Sequence, residues 1–288
     1  MRILFVLFLF IPVFGKSQLF YNTDDYFSLS NPSAFAEKRI YTTGLFNFNN
    51  FNAPNTNYSY VIYKQNIGGI SIGVNGDFQN FGILKSTRGA LQVGYPCRLT
   101  RKLTLNSGIG INASKDNYMY AFADKPVEII KWNPAYIGVD AGISLFSKKW
   151  NVGFSVMNLN QGKRMIDTLK FSTIMYLNFF GSYDFKLDSL SKFHLVPSLF
   201  IQYSPEGFYS SYFNLKLNFL AHSIGLGYMR SNPSLFYEYR FRKRITIGAS
   251  IGKYFSPFHL ENNSWNGMLR INYELKNRRL ISTNPVNF

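Results

Sequence analysis

Beyond its first seventeen positions, the chain alternates large apolar residues with small or polar ones. In KKWNVGFSVMNLN, residues 148–160, Trp150, Val152, Phe154 and Val156 are separated by Asn151, Gly153 and Ser155. A period of two belongs to a β-strand whose side chains point alternately to two faces. GGISIGVNGD repeats it with Ile70, Ile72 and Val74, and LTLNSGIGINAS with Leu103, Leu105, Ile109 and Ile111. YIGVDAGISLF, RITIGASIGKYF and GMLRINYEL do the same. About fourteen segments of this kind are predicted, at roughly 8–12 residues each, the length a tilted strand needs to cross a bilayer. They start near Ile40, Thr56, Gly68, Thr87, Leu103, Tyr136, Trp150, Phe171, Phe193, Tyr209, Ser223, Leu235, Ile245 and Gly267.

The connections fall into two alternating sets. One is short and basic: KQN (64–66), RLTRK (98–102), SKK (147–149), KLDSLSK (186–192) and RKR (242–244). The other is often longer and rich in Asn, Pro or Gly: residues 49–55, 115–134, 158–167 and 256–266. Short turns on one side and long loops on the other predict an all-β, transmembrane antiparallel barrel. The bulky face of each strand is expected to meet lipid, and the slim, polar face to line the lumen. Closure gives every backbone group a partner, which hydrocarbon requires. Tyr95, Trp132, Trp150, Tyr254 and Trp265, near segment ends, suit interfacial girdles. A soluble β-sandwich shares the alternation but not the sorting of turns.

Composition supports strands. Of 288 residues, 18% are aromatic and only 16% charged, against about a quarter charged in an average soluble domain. The start, Met1-Arg2 followed by ILFVLFLFIPVF and Gly15-Lys16-Ser17, reads as a signal peptide over residues 1–17, cut before Gln18. The formal charge is +16; losing Arg2 and Lys16 leaves 29 basic and 15 acidic residues, or +14. In an exported chain this balance favours anionic lipid or acidic protein over nucleic acid. A single cysteine, Cys97, excludes an intrachain disulfide.

Two pieces fall outside the barrel, expected at 40–275. Residues 18–39 form a short N-terminal plug-like segment, for the lumen or the periplasmic mouth. In it Asn31 is placed to cap a helical turn with Pro32 at its first position, and Ala34 follows. Residues 276–288 form a basic periplasmic tail. Both mature termini are expected in the periplasm.

Candidate chemistry is sparse. His194, His222 and His259 are scattered without metal-ligand spacing, and Cys97 has no evident base. No catalytic, cofactor or metal site is predicted. Asp140, Glu238, Arg240, Arg270 and Glu274 fall on the lumen face by parity, because charge on the lipid face is costly. Arg101, Lys102, Lys148, Lys149, Arg242, Lys243 and Arg244 are predicted to form a basic periplasmic rim for docking.

Several stretches together resemble the PorP/SprF family of type IX secretion proteins. They are QLFYN with YFSLSNPSAFAE, NPAYIGVDAGISLFSKKWNVGFSVMNLNQ, HLVPSLFIQY, HSIGLGYMR, RITIGASIGKYFS and GMLRINYELKNRRLISTNPVNF. Ser33 stands where Ala is usual, and Glu37 where Gly is common. The resemblance implies a non-enzymatic outer-membrane barrel of Bacteroidetes-type bacteria. It also implies partners: outer-membrane lipid, type IX components in the periplasm and a secreted adhesin-like client, as in gliding motility. Asn-Pro-Ala elements also open FadL-type channels, so a channel for a small hydrophobic solute is the alternative.

Overall fold

The computed structural model describes residues 23–34, 39–49, 56–67, 69–81, 84–120, 130–132, 135–161, 163–166, 169–172, 174–188, 192–205, 207, 209–229, 232–241, 244–254 and 264–275. The segment expected to be a signal peptide, Glu37, His259 and the expected basic tail lie outside them.

One helix, α1 (Thr23–Ser30), precedes the strands. These are β1 (Arg39–Asn49), β2 (Thr56–Ile67), β3 (Ile70–Phe81), β4 (Leu84–Arg98), β5 (Leu103–Tyr120), β6 (Ile130–Trp132), β7 (Ala135–Ser147), β8 (Trp150–Met157), β9 (Lys163–Ile166) and β10 (Leu169–Ser172). They continue with β11 (Tyr176–Tyr183), β12 (Phe185–Lys186), β13 (Phe193–Tyr203), β14 (Tyr209–Phe219), β15 (His222–Met229), β16 (Asn232–Phe241), β17 (Ile245–Tyr254) and β18 (Ser264–Leu275).

Fourteen of these form the wall, all antiparallel. Each main strand pairs with the next along the chain, β11 pairs with β13, and β1 pairs with β18, Arg39 opposite Leu275. The pairing therefore returns to its start and leaves no free edge, the arrangement a bilayer demands. Thirteen wall strands begin within three residues of the expected positions. The eighth does not. Phe171 belongs to a separate β9–β10 hairpin, and the wall strand begins at Tyr176. The loop expected at 115–134 is also partly ordered: β5 runs on to Tyr120 and pairs with β6.

The two faces separate clearly. Ile109, Ile137 and Leu269 are 67%, 65% and 62% exposed on the outside, whereas Asn112, Asp140 and Arg270 are buried inside. The bulky-out rule fails on one side of the barrel, however. Tyr58, Tyr60 and Ile62 of β2, Phe180 of β11, Phe200 of β13, Tyr212 of β14 and Phe236 of β16 all point inward and are buried. The inward positions of β5, β7 and β8 instead include Gly108, Gly142 and Gly153, the last a cross-strand partner of Phe180. The physical reason is filling: the turn after α1 (residues 31–33) packs against Gly108 and Gly142, the Phe27 ring fills the space at Gly153, and large inward rings close the lumen elsewhere.

Candidate functional site

The lumen holds residues 23–34. Helix α1 has only 8 residues, too few to be stable alone in water. Its described side chains are buried all round except half-buried Ser28, which is what an enclosed position demands. The helix stops at Asn31, whose amide donates to the Phe27 carbonyl at 2.9 Å. Pro32 has no N–H and cannot extend it. The chain turns instead: Ala34 N–H donates to the Asn31 carbonyl at 3.0 Å, with Pro32 second in the turn. Asn31 therefore follows a helix rather than capping the start of one. Its Oδ1 accepts from Ser33 N–H at 2.9 Å and Ser33 Oγ at 2.7 Å, closing an Asx-type turn.

The segment touches strands around most of the ring. On the glycine side, a β-carbon at Gly108 would overlap the Pro32 carbonyl, one at Gly142 the Asn31 amide, and one at Gly153 the Phe27 ring. Gly108 and Gly142 are cross-strand partners. Around them Asn31 Nδ2 donates to the Phe154 carbonyl at 3.3 Å, Ser155 Oγ to the Ser30 carbonyl at 2.9 Å, and Ser33 Oγ bonds Ser144 Oγ. On the adjacent strand Phe180, the cross-strand partner of Gly153, stacks on Phe27 with centroids 4.3 Å apart. Thr23 bonds Ser198 at 2.6 Å, and Lys64 Nζ donates to the Ala34 carbonyl at 2.6 Å.

Asp25 makes the strongest tie. Arg270 reaches it through two bonds, Nε to Oδ2 at 2.6 Å and Nη2 to Oδ1 at 2.8 Å. Tyr60 donates to the same carboxylate at 2.5 Å. The third arm of Arg270, Nη1, donates to Glu238 at 2.9 Å, and Lys216 stands 3.8 Å from Glu238. Every acid in this cluster thus faces a cation, the condition for holding charge out of water. A second inward cluster joins Arg88 to Asp140 at 3.3 Å, with Asn112 and the Asn158 amide on the same carboxylate at 2.8 and 2.9 Å.

Of the charges predicted to face the lumen, Asp140, Glu238 and Arg270 are buried there. Arg240 is exposed at the turn end of β16, and Glu274 is half-buried with its amide on the Arg244 carbonyl at 2.8 Å. Arg101, Lys102, Lys148, Lys149 and Arg244 are exposed at turns; Arg242 and Lys243 lie outside the described residues. Lys64 belongs to no turn, because it shares the inward face of Tyr58, Tyr60 and Ile62. Asp25, Lys64 and Arg88 are functional candidates that local pattern did not reveal. The one available signal was parity, which puts Lys64 and Arg88 on inward faces of β2 and β4.

Among the described residues, the histidines and the cysteine do not assemble into a cluster. His194 pairs with Asp184 at 2.7 Å, and His222 bonds the Tyr237 hydroxyl at 2.7 Å. Among the described residues no group of three His, Cys, Asp or Glu could hold a metal. Cys97 is free and exposed on β4. In the turn after β12, the backbone N–H groups of Phe193 and Lys192 hold the Asp188 carboxyl below its ordinary range.

The pattern of the family described as "Type IX secretion system membrane protein PorP/SprF" matches residues 26–273. No curated protein matches the chain in sequence. Among solved structures, the toluene transporter TodX of Pseudomonas putida is similar at 9% identity and TM-score 0.52, over 87% of this chain and 93% of that one. A TodX deltaS2S3 mutant reaches TM-score 0.56 at 8% identity, over 89% and 95%. A FadL homologue of Pseudomonas aeruginosa reaches 0.50 at 9% identity, over 87% and 93%. At such identities the likeness is one of fold.

Proposed function

The chain belongs to the PorP/SprF family of type IX secretion system membrane proteins, and on that premise we propose that it acts as a docking barrel with its own lumen occupied. It is an outer-membrane β-barrel and a membrane component of that system. In this reading it supports secretion or surface attachment of large adhesin-like proteins, its short basic turns face the periplasm, and those turns meet acidic partners there. The observation that carries the reading is the Asp25–Arg270–Glu238 cluster, which ties residues 23–34 across the lumen. A segment clamped in the lumen by a buried ionic cluster narrows any path for solute, which favours docking over open conduction.

The test is charge reversal of Arg242, Lys243 and Arg244. Recovery of type IX components with the affinity-tagged barrel should fall, while heat-modifiable migration of the folded barrel stays the same. Undiminished recovery would refute docking through that turn. The second reading is a channel for a small hydrophobic solute, favoured by the architecture shared with a toluene transporter. Single-channel recording and solute uptake in liposomes separate the two. A sealed bilayer supports docking, and steady conductance or uptake supports the channel.

A further inference from the structure

The outer wall of β4, β5, β7 and β8 is not evenly covered. A groove of about 590 Å³ is sunk into it, and nearly all its lining is apolar. The register explains the depression. In one cross-strand row Ser107 lies between Tyr95 and Ile143; in the next, Ala141 lies between Ile109 and Val156. The two small outward side chains form a diagonal floor between larger ones. The inward partners at this level, Gly108 and Gly142, also lack side chains, so the wall is thin where the lumen segment lies closest.

The same strands end in the turns RLTRK and SKK, which contain no acid. Arg101, Lys102, Lys148 and Lys149 are all exposed there, and among the described residues no carboxylate pairs with them. Asp184, whose amide donates to the Lys149 carbonyl, has its own carboxylate on His194. Ser107 lies four positions along β5 from Leu103, which places the groove about 13 Å above the turns at ~3.3 Å per residue. A cationic cluster at the membrane surface and an apolar channel one acyl-chain depth above it form the two halves of one kind of site.

We propose that this face binds an anionic phospholipid of the leaflet at the short-turn end. Its phosphate sits among Arg101, Lys102, Lys148 and Lys149, and one acyl chain lies in the groove over Ser107 and Ala141. Charge complementarity and the groove's place in a wall already surrounded by hydrocarbon select lipid over a protein occupant. The inference shares these turns with the docking proposal but needs no secretion partner: it is read on purified barrel, whereas the docking test acts on the separate turn at Arg242, Lys243 and Arg244.

Native mass spectrometry of the full barrel, released from detergent after incubation with phosphatidylglycerol or phosphatidylethanolamine, tests it. Wild type should retain phosphatidylglycerol over phosphatidylethanolamine by about five-fold or more, the effect of roughly one effective surface cation. Reversing Arg101, Lys102, Lys148 and Lys149 to Glu should abolish that preference. Ala141→Phe, or Ser107→Phe if the first variant fails to fold, should cut retention of both lipids while leaving their ratio intact. Heat-modifiable migration checks folding in each case. Equal retention of the two lipids by wild type overturns the proposal, as does a preference that survives charge reversal. A filled groove that changes nothing removes the chain half of the site, and competition by free sn-glycerol 3-phosphate as effective as by lipid does the same. A co-purifying membrane protein that excludes lipid from the groove would make it a protein interface instead.

Discussion

Replacing Arg270 by Met should release residues 23–34 from the lumen without opening the barrel. Arg270 holds both oxygens of Asp25 and one of Glu238, at 2.6, 2.8 and 2.9 Å. Without it, among the described residues, Asp25 keeps the Tyr60 hydroxyl and Glu238 keeps Lys216 at 3.8 Å. Removing one partner of a buried ion pair typically costs about 3–5 kcal/mol, because the remaining charge is left unpaired. At about 1.4 kcal/mol per tenfold, the ratio of docked to released segment should fall by roughly 10²–10⁴. The wall should stand, since its backbone ladders do not depend on the clamp. The assay is cross-linking. Ser33→Cys with Ser144→Cys, in a Cys97→Ser background, places two thiols where two hydroxyls already touch. Oxidation should link them rapidly in the parent and far more slowly with Arg270→Met. Adding Asp25→Asn and Glu238→Gln removes the orphaned charges and should restore much of the rate. Equal cross-linking with and without Arg270, in a properly folded barrel, would show that the clamp does not hold the segment.

Gly153→Ala should also displace the segment, because the new methyl would overlap the Phe27 ring; overpacking of this kind costs about 1–3 kcal/mol. Gly89→Ala, with open space at its β-carbon, should leave the same cross-linking rate unchanged. Leu269→Arg, on the outer face, should lower barrel stability in vesicles by about 2–4 kcal/mol if it sits near the bilayer midplane, measured by denaturant titration. The Asp188 carboxyl has a depressed pKa in the folded turn, so its contribution is complete above the ordinary carboxylate value of about 3.9 and is lost as pH falls through the lower folded value. The protection of the Lys192 and Phe193 amides, measured as exchange relative to the intrinsic rate at each pH, should therefore fall in acid and, at neutral pH, in Asp188→Asn.

The strands were legible because hydrocarbon and lumen impose a strict two-residue period on Ile245–Ile251 or Ile137–Leu145, and little else competes with it. Phe171 misled because a hairpin outside the wall carries the same period as one within it. Tyr58, Tyr60 and Ile62 misled for a different reason. Bulk marks the lipid face only where the lumen is filled by something else, and no local signal says which wall that something leans on. The clamp was half legible. Parity placed Arg270 and Glu238 inside, but Asp25 lies 245 positions from Arg270, and a pair that distant leaves no mark on either neighbourhood. Asn31 was read as the start of a helix because Asn-Pro serves equally well after one.

The division of the lumen into a glycine wall and an aromatic, charged wall bears on how the segment finds one seat. Helix α1 cannot hold its shape before the wall exists, since two turns are too short to persist in water. Apolar contact with Phe180 alone would let Phe27 slide or rotate, because dispersion has little direction. The fixed elements are those with direction: the two-pronged Arg270–Asp25 contact, the Ser155 bond to the Ser30 carbonyl, and the Asn31 turn against Gly142. These lie on opposite sides of the ring, so a register shift that preserved one would break another. Such mutual exclusion lets a segment of ordinary polarity occupy a polar lumen in one arrangement. It also means the seat forms only once β5, β7 and β8 have met β18 through the closed sheet, which makes docking of residues 23–34 a consequence of barrel closure.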